Sequence, residues 1–136
     1  MRHDEFIGAV QHRARLSSRG QAEGVTRATL ETLGERIPEP QAEHLAAQLP
    51  REIAVSLRRT ITMGGAGSGE RFDLDEFTRR VANRAGVDPP KAVYDARVVL
   101  EVLGEATQGE TLHRVRDSLP EEMRGLIDAG SSGRMA

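Results

Sequence analysis

The sequence predicts an all-α fold: a tandem pseudo-symmetric repeat of two four-helix units packed as one compact domain. Three observations lead there. Apolar residues recur at helical spacing, and period-two alternation is not sustained over a strand's length. Aromatic residues make up only 3% of the 136 residues, so the core must be built from Leu, Val, Ile and Ala, which suit closely packed helices. The chain also matches itself in register.

The self-match starts at two acidic, aromatic triplets. Asp4-Glu5-Phe6 lies over Asp75-Glu76-Phe77, Val10 over Val81, Arg13 over Arg84 and Ala14 over Ala85. One residue drops out of the second copy near Val87 to Pro90. Register then resumes: Ala22 with Ala92, Arg27 with Arg97, Leu30-Glu31 with Leu100-Glu101, and Leu33-Gly34-Glu35 with Leu103-Gly104-Glu105. Leu49-Pro50 meets Leu119-Pro120, and Glu52 meets Glu122. Ordered matches with a single gap are the signature of duplication. The organisation that follows is a first repeat over 1–63, a Gly-rich linker over 64–71, a second repeat over 72–129 and a flexible tail over 130–136.

Each repeat reads as four helices. In the second, Asp73 stands three residues before Glu76 in a capping-box pattern, and Phe77, Val81 and Ala85 share one stripe. Asp88-Pro89-Pro90 opens the next helix, where Pro is tolerated in the first turn. Its apolar face is Ala92, Ala96, Val99, Leu100 and Leu103. Leu112, Val115 and Leu119 form a short third helix; Pro120 opens a fourth with Met123, Leu126 and Ile127 turned inward. The first copy repeats the plan with Phe6 and Val10; Val25, Ala28, Leu30, Leu33 and Ile37; Ala42, Leu45 and Leu49; then Ile53, Leu57 and Ile61. Gly34 and Gly104 interrupt the second helix of each copy. Gly costs about 1 kcal/mol there relative to Ala, so it either admits a close neighbouring helix or marks a helix C-terminus; close approach is favoured because Ile37 continues the apolar stripe beyond Gly34.

Composition narrows the function classes. The net charge is −2, which gives no global pull toward nucleic acid or anionic membrane. Cys is absent, which removes disulfides, thiolate zinc sites and a Cys nucleophile. No stretch approaches the roughly 20 apolar residues of a membrane span, and a cytoplasmic location is expected.

The candidate chemistry is sparse. The run Gly64-Gly65-Ala66-Gly67-Ser68-Gly69 has the composition of a linker; no strand precedes it and no Lys follows, as a phosphate loop would require. Glu31/Glu35 and Glu101/Glu105 stand one turn apart in both copies. A carboxylate metal site would add a His one turn away in a Glu-x-x-His arrangement, and none of these four Glu residues is followed by one. Arg27 precedes Glu31, and Arg97 precedes Glu101, by four residues. Helix-surface ion pairs are the favoured reading, with a polar cluster where the copies meet (Arg27, Glu31, Arg97, Glu101) as the alternative. His3, His12, His44 and His113 share no ligand spacing. Ser17, Ser18, Ser56, Ser68 and Ser118 sit in no nucleophile elbow. Catalytic, cofactor and metal sites are therefore not expected.

The quoted elements resemble an uncharacterised bacterial family known only as a domain of unknown function. The similarity is carried by Glu5-Phe6 with Val10, Glu76-Phe77 with Val81, Leu30 with Leu33, Leu100 with Leu103, and the steps Gln48-Leu49-Pro50 and Ser118-Leu119-Pro120. It covers nearly the whole chain. It implies a helical fold and a bacterial setting, and no catalytic residues.

The function expected from these features is a non-catalytic protein-interaction or assembly module. It would present exposed parts of Leu57, Ile61, Leu126 and Ile127 to a protein partner or to another copy of itself. Weakly specific DNA binding through Arg13, Arg15 and Arg19, Arg58 and Arg59, or Arg79, Arg80 and Arg84 is the alternative, not favoured because acids are interspersed. A ligand carrier or enzyme with a pocket between the repeats is the third reading.

Overall fold

The structure is a computed structural model that describes residues 1–62 and 70–132, with the side chains of residues 61 and 62 outside the description. Among the described residues it is all-helical, with eight helices and no strand. In chain order these are α1 (His3–Arg13), α2 (Arg19–Arg36), α3 (Glu39–Ala46), α4 (Arg51–Thr62), α5 (Leu74–Ala85), α6 (Pro89–Ala106), α7 (Gly109–Asp117) and α8 (Glu121–Asp128). The expected linker run 64–69 lies outside the described residues.

The helix ends follow local chemistry. Ser18 caps α2 by accepting from the Gln21 amide, and Asp73 caps α5 by accepting from the Glu76 amide at 2.9 Å. The Glu76 side chain does not complete a capping box; it turns to Arg79 and Arg80. Pro89 and Pro90 occupy the first turn of α6, where no intrahelical N–H is needed. α5 ends on Gly86 in the left-handed region at φ 69°, and α1 is followed by Arg15 at φ 55°. These two positions coincide in the self-match, one filled by the residue that suits the conformation and one by a residue that does not.

The two 18-residue helices, α2 and α6, form the centre. α2 packs against α4, α5, α1 and α6; α6 packs against α5, α1, α8 and α7. Ten of the residues of α2 are buried, including Thr26, Thr29, Thr32 and Glu31, so this helix is enclosed on most sides rather than along one stripe. Thr32 satisfies its buried hydroxyl by donating to the Ala28 carbonyl at 2.8 Å. Phe6 and Phe77, the aromatic anchors of the self-match, are both fully buried.

Gly34 is where α4 crosses closest to α2. A Cβ at this position would stand 2.6 Å from the Leu57 carbonyl oxygen and 2.7 Å from Thr60 Oγ1. The expected close packing is therefore seen, against backbone. At Gly104 the corresponding neighbour is only the Leu112 side chain.

Two further ties join the parts of the chain. Gln48, at the corner between α3 and α4, donates to Thr111 Oγ1 and accepts from the Gln108 amide, both at 2.8 Å. The segment entering α5 crosses the end of α2: the Glu70 amide donates to the Glu35 carbonyl, and Arg36 Nε donates to the Phe72 carbonyl, both at 2.9 Å. Arg80 stacks over the Phe72 ring at 3.9 Å.

The expected docking surface is corrected here. Leu57 and Leu126 are completely buried; Ile127 packs against the core and keeps a partly exposed side; the Ile61 side chain lies outside the described residues. The reason is that α4 and α8 are the outer helices of the packing, and their single apolar stripes are consumed in covering α2 and α6. The tail expected from residue 130 is also tied at its start, because the Gly130 carbonyl accepts from Arg97 Nε at 2.9 Å.

Candidate functional site

The acidic pairs that the sequence singles out on α2 and α6 each receive an arginine from a distant helix. On α2, Arg84 of α5 donates through Nη1 to Glu35 Oε1 at 2.6 Å and to Thr32 Oγ1 at 2.8 Å, and its Nε lies 3.9 Å from Glu31 Oε1. Arg59 of α4 donates to Glu31 Oε2 at 2.9 Å, and Arg80 approaches Glu35 at 3.3 Å. On α6, Arg13 of α1 donates to Glu101 at 2.9 Å and grips both oxygens of Glu105 at 2.6 and 2.7 Å. The Arg13 backbone is held as well, since its carbonyl accepts from Tyr94 Oη at 3.0 Å.

The pattern is a cross. Arg13 of the first half bridges the acidic pair of the second half, and Arg84 of the second half bridges the acidic pair of the first. The Arg13–Glu105 contact is the forked, bidentate geometry in which Arg binds a carboxylate most strongly, whereas Arg84 makes one carboxylate bond, to Glu35, and a second bond to Thr32. The α2 cluster is the more enclosed: the side chains of Glu31 and Glu35 are 10% and 15% exposed, against 27% and 46% for Glu101 and Glu105.

The electrostatics match this arrangement. The bonds from Arg13 hold the Glu105 carboxyl below its ordinary value. Burial pushes Glu101 up, but bonds from Ser131 and Arg13 outweigh it, and its carboxyl also sits low. Arg13 is raised in turn, first by its bond to Glu105. All of these groups are charged at neutral pH and committed to one another.

The four residues expected as one polar cluster are not one cluster. Arg27 does not pair with Glu31; it is exposed and lines a cleft of about 380 Å³ with His3, Gly24, Glu52 and Ser56. Arg97 reaches the Gly130 carbonyl and stands over the Tyr94 ring at 5.7 Å, while Glu101 turns to Arg13 and to the Ser131 amide. The surface reading of Glu31 is corrected as well, since this residue is buried. Four-residue spacing on one helix supplies only a few tenths of a kcal/mol, and a crossing helix that offers a forked donor in a drier place outcompetes it.

A polar group that sequence reasoning missed is Asp95, fully buried on the inner face of α6. Burial raises its carboxyl above the ordinary value, opposed by Lys91. Lys91 Nζ lies 3.0 Å from Oδ2 and 3.3 Å from Oδ1, donating to the latter. The signal was present in the spacing: Asp95 falls between Ala92 and Val99 on the apolar face, and the only Lys in the chain stands four residues before it. Lys91 also lines a cleft of about 450 Å³ with Leu16, Gln21, Gly24, Val25 and Val87.

The basic runs considered for nucleic acid are largely spent on carboxylates. Arg19 pairs with Asp4 and Glu23, Arg58 with Glu43, Arg59 with Glu31, and Arg79 and Arg80 with Glu76. Phosphate binding would have to break these pairs, which lowers its net electrostatic gain. Among the described residues no group of three or more His, Asp or Glu is placed to hold a metal ion, and no helix is long and apolar enough to cross a membrane.

A protein-family profile described as an uncharacterized conserved protein (DUF2267) matches residues 3–126. No curated protein matches the chain.

Proposed function

For a chain that belongs to this uncharacterised conserved family, we propose a non-catalytic role as a helical interaction or assembly module. The observation that carries the reading is the crossed pair of clusters. The acidic pairs are the sequence's best candidates for acid–base or metal chemistry, and in this fold each is occupied by an arginine from another helix. Their work is to hold helices together. In the same reading the chain is a tandem duplication and a bacterial, cytoplasmic protein. The duplication is supported by the register of Arg13 with Arg84 and of Glu31/Glu35 with Glu101/Glu105.

The partner surface is polar in this reading. Among the described residues the large apolar side chains left exposed are Met1 and Val55, and isolated exposed residues of this kind are ordinary. The outward face of α4, with Arg51, Glu52, Val55 and Arg59, is the place to probe for contact. The test is a photo-crosslinking residue at position 55 in the native host, joined with light scattering over a range of concentrations and native mass spectrometry. A defined protein adduct or a higher-order mass supports the reading. A protein that stays monomeric, yields no protein adduct and carries a stoichiometric small molecule overturns it in favour of a ligand carrier.

A further inference from the structure

The crossed clusters have a property that ordinary surface bridges lack: each half of the chain carries both a donor and an acceptor for the other. The first half offers Arg13 and receives at Glu31 and Glu35; the second offers Arg84 and receives at Glu101 and Glu105. The remaining contacts across the seam, α2 with α5, α1 with α6, α2 with α6 and α3 with α7, likewise join one half to the other. So do the Gln48 bonds to Thr111 and Gln108, the Glu70–Glu35 backbone bond and the Arg36–Phe72 bond. None of these contacts depends on the two halves belonging to the same chain. The halves are connected through residues 63–69, seven residues of which four are Gly.

We infer that this seam is an interaction surface for a second copy of the chain, with the first half of each copy docking on the second half of the other. Arg13 of one copy then completes the Glu101/Glu105 pair of its partner, and Arg84 does the same for Glu31/Glu35. The contacts of the exchanged dimer are those of the closed monomer. The balance is therefore set by the seven-residue connection, where a tether this short gives an effective concentration on the order of millimolar, and by anything that penalises the closed form. The wild-type chain is monomeric at micromolar concentration on this account and exchanges when the closed seam is made unfavourable. This inference goes beyond the proposed α4 contact and rests on the seam alone, so the two are tested separately.

The test is a charge-swap complementation with full-length chains. One variant carries Arg13→Glu, and the other carries Glu101→Arg with Glu105→Arg. Each closed monomer then places like charges together. In an exchanged heterodimer one seam has the reversed bridge and the other has the native bridge, so both are satisfied. Co-refolding an equimolar mixture should give a heterodimer of twice the monomer mass, at least tenfold more abundant than any dimer of either variant alone. Dimer that forms equally well from one variant alone overturns the inference, because seam charge would not be choosing the partner. So does a mixture of two folded variants that stays monomeric. Should either variant fail to fold even in the mixture, the wild-type chain decides. It is refolded from denaturant at concentrations from micromolar to millimolar and then diluted. A dimer fraction that rises with refolding concentration supports exchange, and monomer at every concentration overturns it.

Discussion

Replacing Gly34 by alanine tests whether the crossing of α2 and α4 is as close as the backbone indicates. The added methyl would sit 2.6 Å from the Leu57 carbonyl oxygen and 2.7 Å from Thr60 Oγ1. Contacts this short cannot be kept, and the first of them is to backbone, so α4 must move off α2 as a unit. That shift loosens the packing of Leu57 and Ile53, which are buried in the same interface. It also breaks the 3.4 Å bond from Thr60 to the Glu31 carbonyl. Overpacking of this kind costs about 1–3 kcal/mol, and alanine returns about 1 kcal/mol of helix propensity. The net expectation is a loss of up to about 2 kcal/mol, or up to roughly 8 °C in Tm for a domain of this size. The same change at Gly24, on the same helix, meets nothing within 4 Å. There the propensity gain stands alone, and Tm should rise by roughly 2–4 °C. Thermal and urea unfolding of the two variants side by side decide the matter. A Gly34→Ala protein as stable as Gly24→Ala would show that the helices are not in contact at this point, and the reasoning would fail.

Other expectations concern the clusters and the helix ends. Arg84→Ala should cost about 2–3 kcal/mol, because it removes the donor shared by Glu35 and Thr32 in an enclosed place and leaves Glu35 only its longer contact with Arg80, whereas Arg13→Ala should cost about 1 kcal/mol at the more exposed cluster; equal losses in urea titrations would contradict the difference in enclosure. Glu101 and Glu105 have folded values below the ordinary 4.5. Their contribution is present above pH 4.5 and lost as pH falls through the lower folded values, so Arg13→Ala should flatten the acid limb of the stability profile. Asp95 has the opposite sign. Its folded value lies above 3.8, so its contribution is complete below pH 3.8 and lost as pH rises through the folded value. The Asp95→Asn protein should therefore gain on wild type between pH 3 and pH 7 in paired unfolding curves, and a constant difference would refute the assignment. Arg15→Gly should stabilise by roughly 0.5 kcal/mol by relieving a left-handed arginine, while Gly86→Ala should destabilise by about 1 kcal/mol; differential scanning of both variants checks the pair of signs.

Much of the fold was legible because its signals are local. The stripes of Phe6 with Val10 and Phe77 with Val81, the Asp73 cap and the prolines that open α6 depend on neighbours within a turn or two. The candidate site was legible only in part. The recurrence of Glu31/Glu35 and Glu101/Glu105 marked the right acids, and the nearest arginine by spacing was the wrong partner in both copies. Leu57 and Leu126 were misplaced for a related reason: an amphipathic stripe shows that a face is apolar and leaves open what covers it. Asp95 was missed because one acid on an apolar face looks like a break in the pattern until α6 is seen to be enclosed.

By itself, the sequence determined that the chain is helical, where most helices begin, and which acids recur. Helix propensity, capping and 3.6-residue periodicity act over distances that are read directly along the chain. The tertiary structure alone decided that Arg13 and Arg84 cross the seam, that Gly34 faces a backbone carbonyl, and that Glu31 is shielded from water. Those outcomes depend on which helices touch, and an ion pair's strength follows the dielectric and the geometry found where they meet.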